Sequence, residues 1–144
     1  MGRLLKKFSV PWDISKLSDG TQVARPALDL FLERRKGPPI EEMFLVDSGA
    51  DCSMAPRRLC ERLGIHWSDG QLMELVGISP REECNVRGYI HPLKVHVREV
   101  KLSLTIPCCF VEGDTPLVLG RAGFFDAFRI EFDQRQRLTV FRRP

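Results

Sequence analysis

Alternating apolar and polar residues recur along most of the chain and predict a series of short β-strands. Glycine, proline and small polar clusters separate the strands at regular intervals, which is typical of an all-β protein. The alternation is clearest in three runs, whose apolar positions are Leu28, Leu30 and Leu32, then Leu93, Val95 and Val97, then Val100, Leu102, Leu104 and Ile106.

Helix signals are few. Leu59 and Leu63 share one face of a segment that starts at Pro56 and is followed by Gly64, which predicts a short helix over residues 56–63. Residues 122–127 are expected to form one or two helical turns. The 144 residues, 43% of them hydrophobic, are enough for one domain with its own core. We assign residues 23–144 to this domain and residues 1–22 to an N-terminal arm or extra strand.

One apolar run differs from the others because residues that can carry out chemistry follow it directly. A strand is predicted over residues 40–46, and its last part, Met43–Val46, is expected to be buried on both faces. Asp47 follows directly, in the turn sequence Asp-Ser-Gly-Ala. A rigid strand that ends in an acid can hold a functional carboxylate in a fixed position. By contrast, residues 18–20 and 68–70 read Ser-Asp-Gly without a continuous apolar run before them, and both are predicted to be plain turns.

This stretch and a second motif resemble one enzyme family. The string FLVDSGAD is similar to the catalytic signature of the retropepsin-like aspartic proteases, a hydrophobic pair followed by Asp-Thr/Ser-Gly-Ala. Residues Leu117–Arg121, with the sequence LVLGR, resemble the aliphatic-aliphatic-Gly motif that the family carries late in the chain. The order and separation of the two motifs suit one retropepsin-like subunit, and the resemblance covers roughly Pro26 to Phe141.

The resemblance implies a fold and an activity. The expected fold is a closed, β-barrel-like single lobe with one or two short helices, active as a two-fold homodimer. Aspartic proteases use two carboxylates that share one proton, one acting as general base on a water while the other hydrogen-bonds the scissile carbonyl. This chain has one such motif, so the second acid must be Asp47 of another copy. The implied substrate is an extended polypeptide, and no cofactor is expected.

Further residues receive roles from the same resemblance. Asp47 is the catalytic acid, Ser48 bonds across the dimer, and the carbonyl of Gly49 receives a substrate amide. Ala50 supports the loop, as does Gly120, which packs beneath it where a side chain would collide. Asp51 is expected to pair with Arg121 and to contact substrate backbone.

A flap is expected over Gly77–Gly88, and Gly77, Ile78 and Gly88 are assigned to substrate binding there. The tip of this segment carries Pro80-Arg81-Glu82-Glu83, where the family often has small residues or glycine. The unusual tip leaves open a second function, a non-catalytic peptide-binding or dimerisation module that retains the protease fold.

Bulk properties argue against other function classes. The formal net charge of +3 is small and the basic clusters are short, so no nucleic-acid partner is expected. The longest uncharged run, Leu102–Val111, is half of the ~20 residues that span a bilayer, and no signal peptide is visible, so we expect a cytoplasmic protein without a membrane partner. Five cysteines without a C-x-x-C pair predict free thiols, and the three histidines lack the further ligands of a metal site.

Overall fold

The computed structural model describes residues 6–75 and 86–144, and the fold is almost entirely β-structure there. One short helix, α1, spans Arg57–Arg62. The strands of the described residues are β1 Lys7–Pro11, β2 Asp13–Lys16, β3 Gln22–Arg25, β4 Ala27–Leu32, β5 Ile40–Val46, β6 Ser53–Pro56, β7 Gln71–Leu75, β8 Val86–Val97, β9 Leu102–Val111, β10 Val118–Leu119, β11 Arg129–Asp133 and β12 Leu138–Arg142.

Six strands close into a barrel in the order β4-β5-β10-β6-β9-β8 and back to β4. The short strand β10 lies parallel to β5 and antiparallel to β6, while β6 and β9 are again parallel. Two residue pairs, Phe31 with His96 and Leu32 with Val95, join β4 to β8 and complete the closure. Strand β7 extends the sheet beyond β8. The expected closed β-barrel is therefore confirmed.

The barrel interior is filled by the side chains that the alternation predicted. Leu28, Leu30 and Leu32 of β4 are buried, as are Leu93, Val95 and Val97 of β8. Because side chains of one strand alternate between its faces, these positions share the inner face of the barrel. On β9 the pattern is less complete, since Ile106 is buried while Leu102 and Leu104 are only partly covered.

Strand β5 is buried on one face only, so the expectation of burial on both faces was wrong. Phe44 and Val46 point into the core, whereas Met43 is exposed and Leu45 is only partly covered. The outer face of the barrel wall carries no covering layer at Met43, and the side chains alternate between core and surface as in an ordinary barrel strand.

The first strand is part of the folded body. Strand β1 pairs with β12, and β11 lies on the other side of β12, so the two ends of the chain share a three-stranded sheet. Phe8 on β1 stacks on Phe141 with ring centroids 4.7 Å apart and meets the ring of Phe128 edge-on at 6.0 Å. The division of the chain after residue 22 stays a prediction, although Phe8 packs into the same core as the barrel.

The short elements agree with the prediction at one place and differ at two. Helix α1 begins after Pro56 and ends before Gly64, whose φ of +78° lies in the left-handed region that ends helices. Residues 122–127 form hydrogen-bonded turns and no regular helix, because Gly123 has a φ of +80° and interrupts the helical backbone. Strand β8 begins at Val86, within the segment Gly77–Gly88 that was expected to form the flap, because the ladder with β7 continues to Leu75.

None of the helices in the described ranges is long and apolar enough to cross a membrane.

Replacing Phe8 by alanine tests whether β1 belongs to the core. Phe8→Ala is expected to lower the free energy of unfolding by about 3 kcal/mol, because it empties space between two aromatic rings. Urea denaturation measures the loss. Phe132→Ala is the matched control, since Phe132 is 37% exposed on β11, and we expect it to cost about 1 kcal/mol or less. An equally small effect at Phe8 would mean that β1 does not support the fold.

Candidate active site

Asp47 leaves the barrel wall between two neighbouring strands. Strand β5 is flanked by β4 and β10, so the backbone just before Asp47 is held on both sides. The amide of Asp47 itself donates to the carbonyl of Leu119 at 3.0 Å. This arrangement explains why the strand positions the acid with little freedom.

The turn after Asp47 is closed by its own hydrogen bonds. The amide of Ala50 donates to the carbonyl of Asp47 at 3.3 Å, and the amide of Gly49 donates to Asp47 Oδ1 at 2.8 Å. The second bond fixes the orientation of the carboxylate and leaves its other oxygen for a further partner. Ser48 and Gly49 are exposed at the tip, whereas Asp47 is half-buried.

A second segment of the chain, residues 120–122, holds this turn in place through backbone hydrogen bonds. The amide of Arg121 donates to the carbonyl of Ala50 and the amide of Ala122 donates to the carbonyl of Asp51, both at 2.9 Å. Gly120 lies so close that a Cβ atom there would stand 2.4 Å from the carbonyl carbon of Cys52. Any side chain at Gly120 would therefore push the two segments apart.

Ser53 makes a buried hydrogen bond at this site, a role that the sequence patterns did not predict. Its hydroxyl accepts a hydrogen bond from the amide of Gly120 at 3.0 Å, and the side chain is fully buried. The first residue of strand β6 thus satisfies the amide of Gly120 at the point where the two segments pack most closely. The only signal in the sequence is that Ser53 follows Asp47 by six positions, and nothing in the hydrophobic pattern distinguishes Ser53 from other serines.

The carboxylate of Asp51 contacts the guanidinium of Arg121 as an ion pair. Both side chains face solvent, with Asp51 90% and Arg121 53% exposed, so the pair contributes little to stability. Its position is more informative than its strength, because it links the residue after the turn to the residue after Gly120. The pairing also engages the carboxylate that is closest in sequence to Asp47.

A cleft of ≈ 390 Å³ opens beside the turn. Strand β7 forms its far wall, through Met73 and Glu74, and pairs with β8 in an antiparallel hairpin. In the sequence the predicted flap lies between β7 and β8, but Gly77 and Ile78 lie outside the described residues. Gly88 lies within β8, and a Cβ there would stand 2.5 Å from Cys109 Sγ, so Gly88 packs in the barrel wall. The side of the cleft next to the turn is lined by Ala50, Asp51, Cys52, Ser53, Met54 and Cys109.

The cysteines of the described residues are free thiols, as the sequence predicted. Burial raises the pKa of the Cys52 thiol, because the thiolate would lose contact with water, and the charge of Asp51 adds to the effect. Burial likewise raises the pKa of Cys109 to about 11. Both cleft thiols are therefore protonated and poor nucleophiles near neutral pH.

The histidines have local partners. His91 is buried, and its Nε2 lies 2.8 Å from the carbonyl of Trp67. His96 Nδ1 lies 3.1 Å from the hydroxyl of Ser103. Within residues 6–75 and 86–144, no three His, Cys, Asp or Glu side chains form a group that could hold a metal ion.

The structure thus gathers most of the predicted site into one place. Asp47, Ser48, Gly49, Ala50 and Asp51 form the turn, and the segment at Gly120 and Arg121 lies directly against it. Gly88 lies in β8 and pairs with Met73 of β7, one of the residues that line the cleft. The roles of these residues in catalysis, dimerisation and substrate binding stay predictions.

The fold is similar to solved structures of aspartic proteases. A retropepsin-like aspartic protease from Rickettsia conorii superimposes with a TM-score of 0.60 and 17% sequence identity, over 94% of this chain and 90% of that one. The EIAV protease in complex with an inhibitor aligns with a TM-score of 0.45 and 21% identity, over 67% of this chain and 82% of that one. No protein-family profile matches the chain, and no curated protein matches its sequence. The first of these two likenesses shows that the chain has a retropepsin-like fold, as the two motifs predicted.

Removing the hydroxyl of Ser53 is expected to loosen the site. In Ser53→Ala the buried amide of Gly120 loses its acceptor, which should lower the free energy of unfolding by about 1–3 kcal/mol. Chemical denaturation followed by Trp fluorescence measures this loss. Ser103→Ala removes an exposed hydroxyl from the barrel and should change stability by less than about 0.5 kcal/mol. Equal stability of the two variants would contradict the role given to Ser53.

Proposed function

We propose that this protein is an aspartic endopeptidase whose catalytic couple consists of Asp47 from each of two copies. The observation that carries the proposal is the turn itself, an acid at the end of a doubly flanked strand whose loop is fastened to Gly120 and Arg121. The retropepsin-like fold supports the same conclusion. Asp51 is a poor candidate for the second acid because Arg121 already engages its carboxylate.

The proposed reaction needs one ionised and one protonated Asp47. The ionised carboxylate accepts a proton from a water molecule, which attacks the carbonyl carbon of the scissile peptide bond. The protonated carboxyl of the other copy donates a hydrogen bond to the carbonyl oxygen and stabilises the charge that develops on it. When the C–N bond breaks and the carbonyl re-forms, the first carboxyl returns the proton taken from water to the leaving nitrogen, which restores one ionised and one protonated Asp47. The hydrogen bond from the Gly49 amide to Oδ1 holds each carboxylate in one orientation for this exchange.

The remaining residues follow from this assignment. Ser48, which is exposed at the tip of the turn, bonds across the proposed two-fold axis, and the carbonyl of Gly49 accepts a hydrogen bond from a substrate amide. The substrate is an extended polypeptide that lies in the cleft between the turn and β7. Asp51 contacts its backbone, and the segment that includes Gly77 and Ile78 closes over it as a flap, with Gly88 in the strand that supports it.

Replacing the acid by its amide tests the couple. Asp47→Asn should abolish cleavage of an unstructured polypeptide such as casein while the variant remains folded and dimeric, because the amide keeps the shape but cannot act as base. Peptide release and analytical ultracentrifugation measure the two properties. Asp29→Asn, at an exposed position on β4, is the matched control and should cleave normally. Undiminished hydrolysis by Asp47→Asn would refute the assignment, and a dimeric wild type that binds peptides without cleaving them would favour the binding module.

Mixing subunits tests whether both copies contribute. In an equimolar mixture of wild type and Asp47→Asn, random exchange leaves about one quarter of the dimers with two intact acids. Activity per wild-type chain should therefore fall to about half, whereas mixing with the active variant Asp29→Asn should leave the activity per total chain unchanged. Full activity per wild-type chain in the first mixture would mean that one Asp47 is sufficient.

The shared proton predicts the pH dependence. Above the optimum both Asp47 carboxyls are ionised and the donor to the carbonyl is lost, while below it both are protonated and the base is lost. We expect a bell-shaped dependence of kcat/KM on pH with its maximum at mildly acidic pH. Initial rates on a fluorogenic peptide between about pH 3 and pH 8 measure it. Activity that rises steadily to neutral pH and above would contradict the acid couple.

A further inference from the structure

Strands β2 and β3, with the turn between them, form a separate two-stranded sheet. We name this hairpin, residues 13–25, the arm; its range differs from that of the N-terminal arm predicted for residues 1–22. In the described residues its two strands pair only with each other. A two-stranded ribbon is marginally stable by itself in water. The arm nevertheless presents two large apolar side chains to solvent, Ile14 at 57% and Leu17 at 45% exposure.

Both ends of the arm are fixed to the body of the protein. On the first side, Trp12 donates through Nε1 to Thr139 Oγ1 at 2.8 Å and through its amide to the carbonyl of Arg137 at 2.9 Å. On the second side, the carbonyl of Pro26 accepts a hydrogen bond from the amide of Val46 at 2.9 Å. The direction in which the arm leaves the barrel is therefore set by the structure.

This second attachment places the base of the arm beside the active turn. Val46 is the residue before Asp47, and it bonds to the residue that directly follows the arm. The start of β4 is likewise level with the end of β5, since Ala27 pairs with Leu45. The arm thus leaves the barrel at the end where Asp47 lies.

The tip of the arm is an ordered turn. The amide of Leu17 donates to the carbonyl of Thr21 at 2.8 Å, and the amide of Gly20 donates to the carbonyl of Leu17 at 2.9 Å. Asp19 Oδ1 accepts the amide of Thr21 at 2.8 Å, and this bond lowers the pKa of Asp19. The carboxylate therefore keeps its charge, and the tip its shape, further into the acidic range than a free aspartate would. Leu17 is presented on a fixed turn.

We propose that the arm binds a second copy of this chain, packing Ile14 and Leu17 against it and holding the two Asp47 turns together. The inference rests on the proposed function, which requires a second Asp47 at this end of the molecule. A two-fold axis that brings the turns together also brings the base of each arm to the interface. Each arm then buries its apolar side chains against the other copy, and the two-fold axis repeats this contact.

Photo-crosslinking tests the partner directly. p-Benzoylphenylalanine replaces Leu17 in the full chain carrying Asp47→Asn, which prevents self-cleavage, and a mixture of 14N- and 15N-labelled protein is irradiated. We expect a covalent dimer with cross-links between the two isotopic forms. The same probe at Met43, which is 49% exposed on β5 in the barrel wall, is the control and should give little dimer. Cross-linking of Leu17 only within its own chain, or only to an added peptide substrate, would overturn the proposal.

Sedimentation equilibrium measures the energetic effect. The double variant Ile14→Lys, Leu17→Asp should raise the dimer dissociation constant at least about 100-fold, because four apolar contacts are lost across the two-fold axis. Met43→Lys should leave the constant within about threefold of wild type. Circular dichroism checks that each variant is folded, and if the double variant is not, the cross-linking result decides.

The outcomes separate the two proposals. A wild-type protein that remains monomeric at all concentrations overturns the acid couple and the arm together. A wild-type dimer that the double variant does not weaken, without inter-chain cross-links at position 17, overturns the arm and leaves the peptidase standing.

Discussion

The site depends on backbone hydrogen bonds between two loops that lie about 70 residues apart in sequence. The amides of Arg121 and Ala122 donate hydrogen bonds to the carbonyls of Ala50 and Asp51. Gly120 packs against the backbone of Cys52 only because it has no side chain. Backbone bonds of this kind fix position without using the side chains that chemistry needs. The side chain of Asp47 is therefore partly exposed while its backbone is held like that of a core strand.

The barrel serves this arrangement by its strand order. Strand β10 is only two residues long, yet it lies between β5 and β6 and so bridges the strand before the turn and the strand after it. Because β5 and β10 run parallel, their carboxyl ends lie at the same edge, where Asp47 and Gly120 follow. The topology therefore brings Asp47 and Gly120 together at one edge of the sheet. The ion pair of Asp51 and Arg121 is a result of this geometry, since its exposure gives it little stabilising value.

Much of this could be predicted from sequence because the strongest signals were local. Strand β5 was predicted with its observed bounds, and the alternation in β4 and β8 identified inward-facing residues. Ser53 was missed because its role depends on a partner 67 positions away. The turns at residues 122–127 were mistaken for helix because the apolar spacing is helical, while Gly123 adopts a backbone that no apolar pattern reveals. Long-range contacts and left-handed glycines leave no periodic trace in a sequence.

The pairing of β1 with β12 constrains how the protein is made. Phe8 can reach its place against Phe141 only after strand β12 has been made, and this contact closes a much longer loop than the pairing of neighbouring strands. The barrel strands, by contrast, can begin to pair during translation. The sheet that joins β1 to β12 is therefore expected to form late in folding, after local pairs such as β8 with β9.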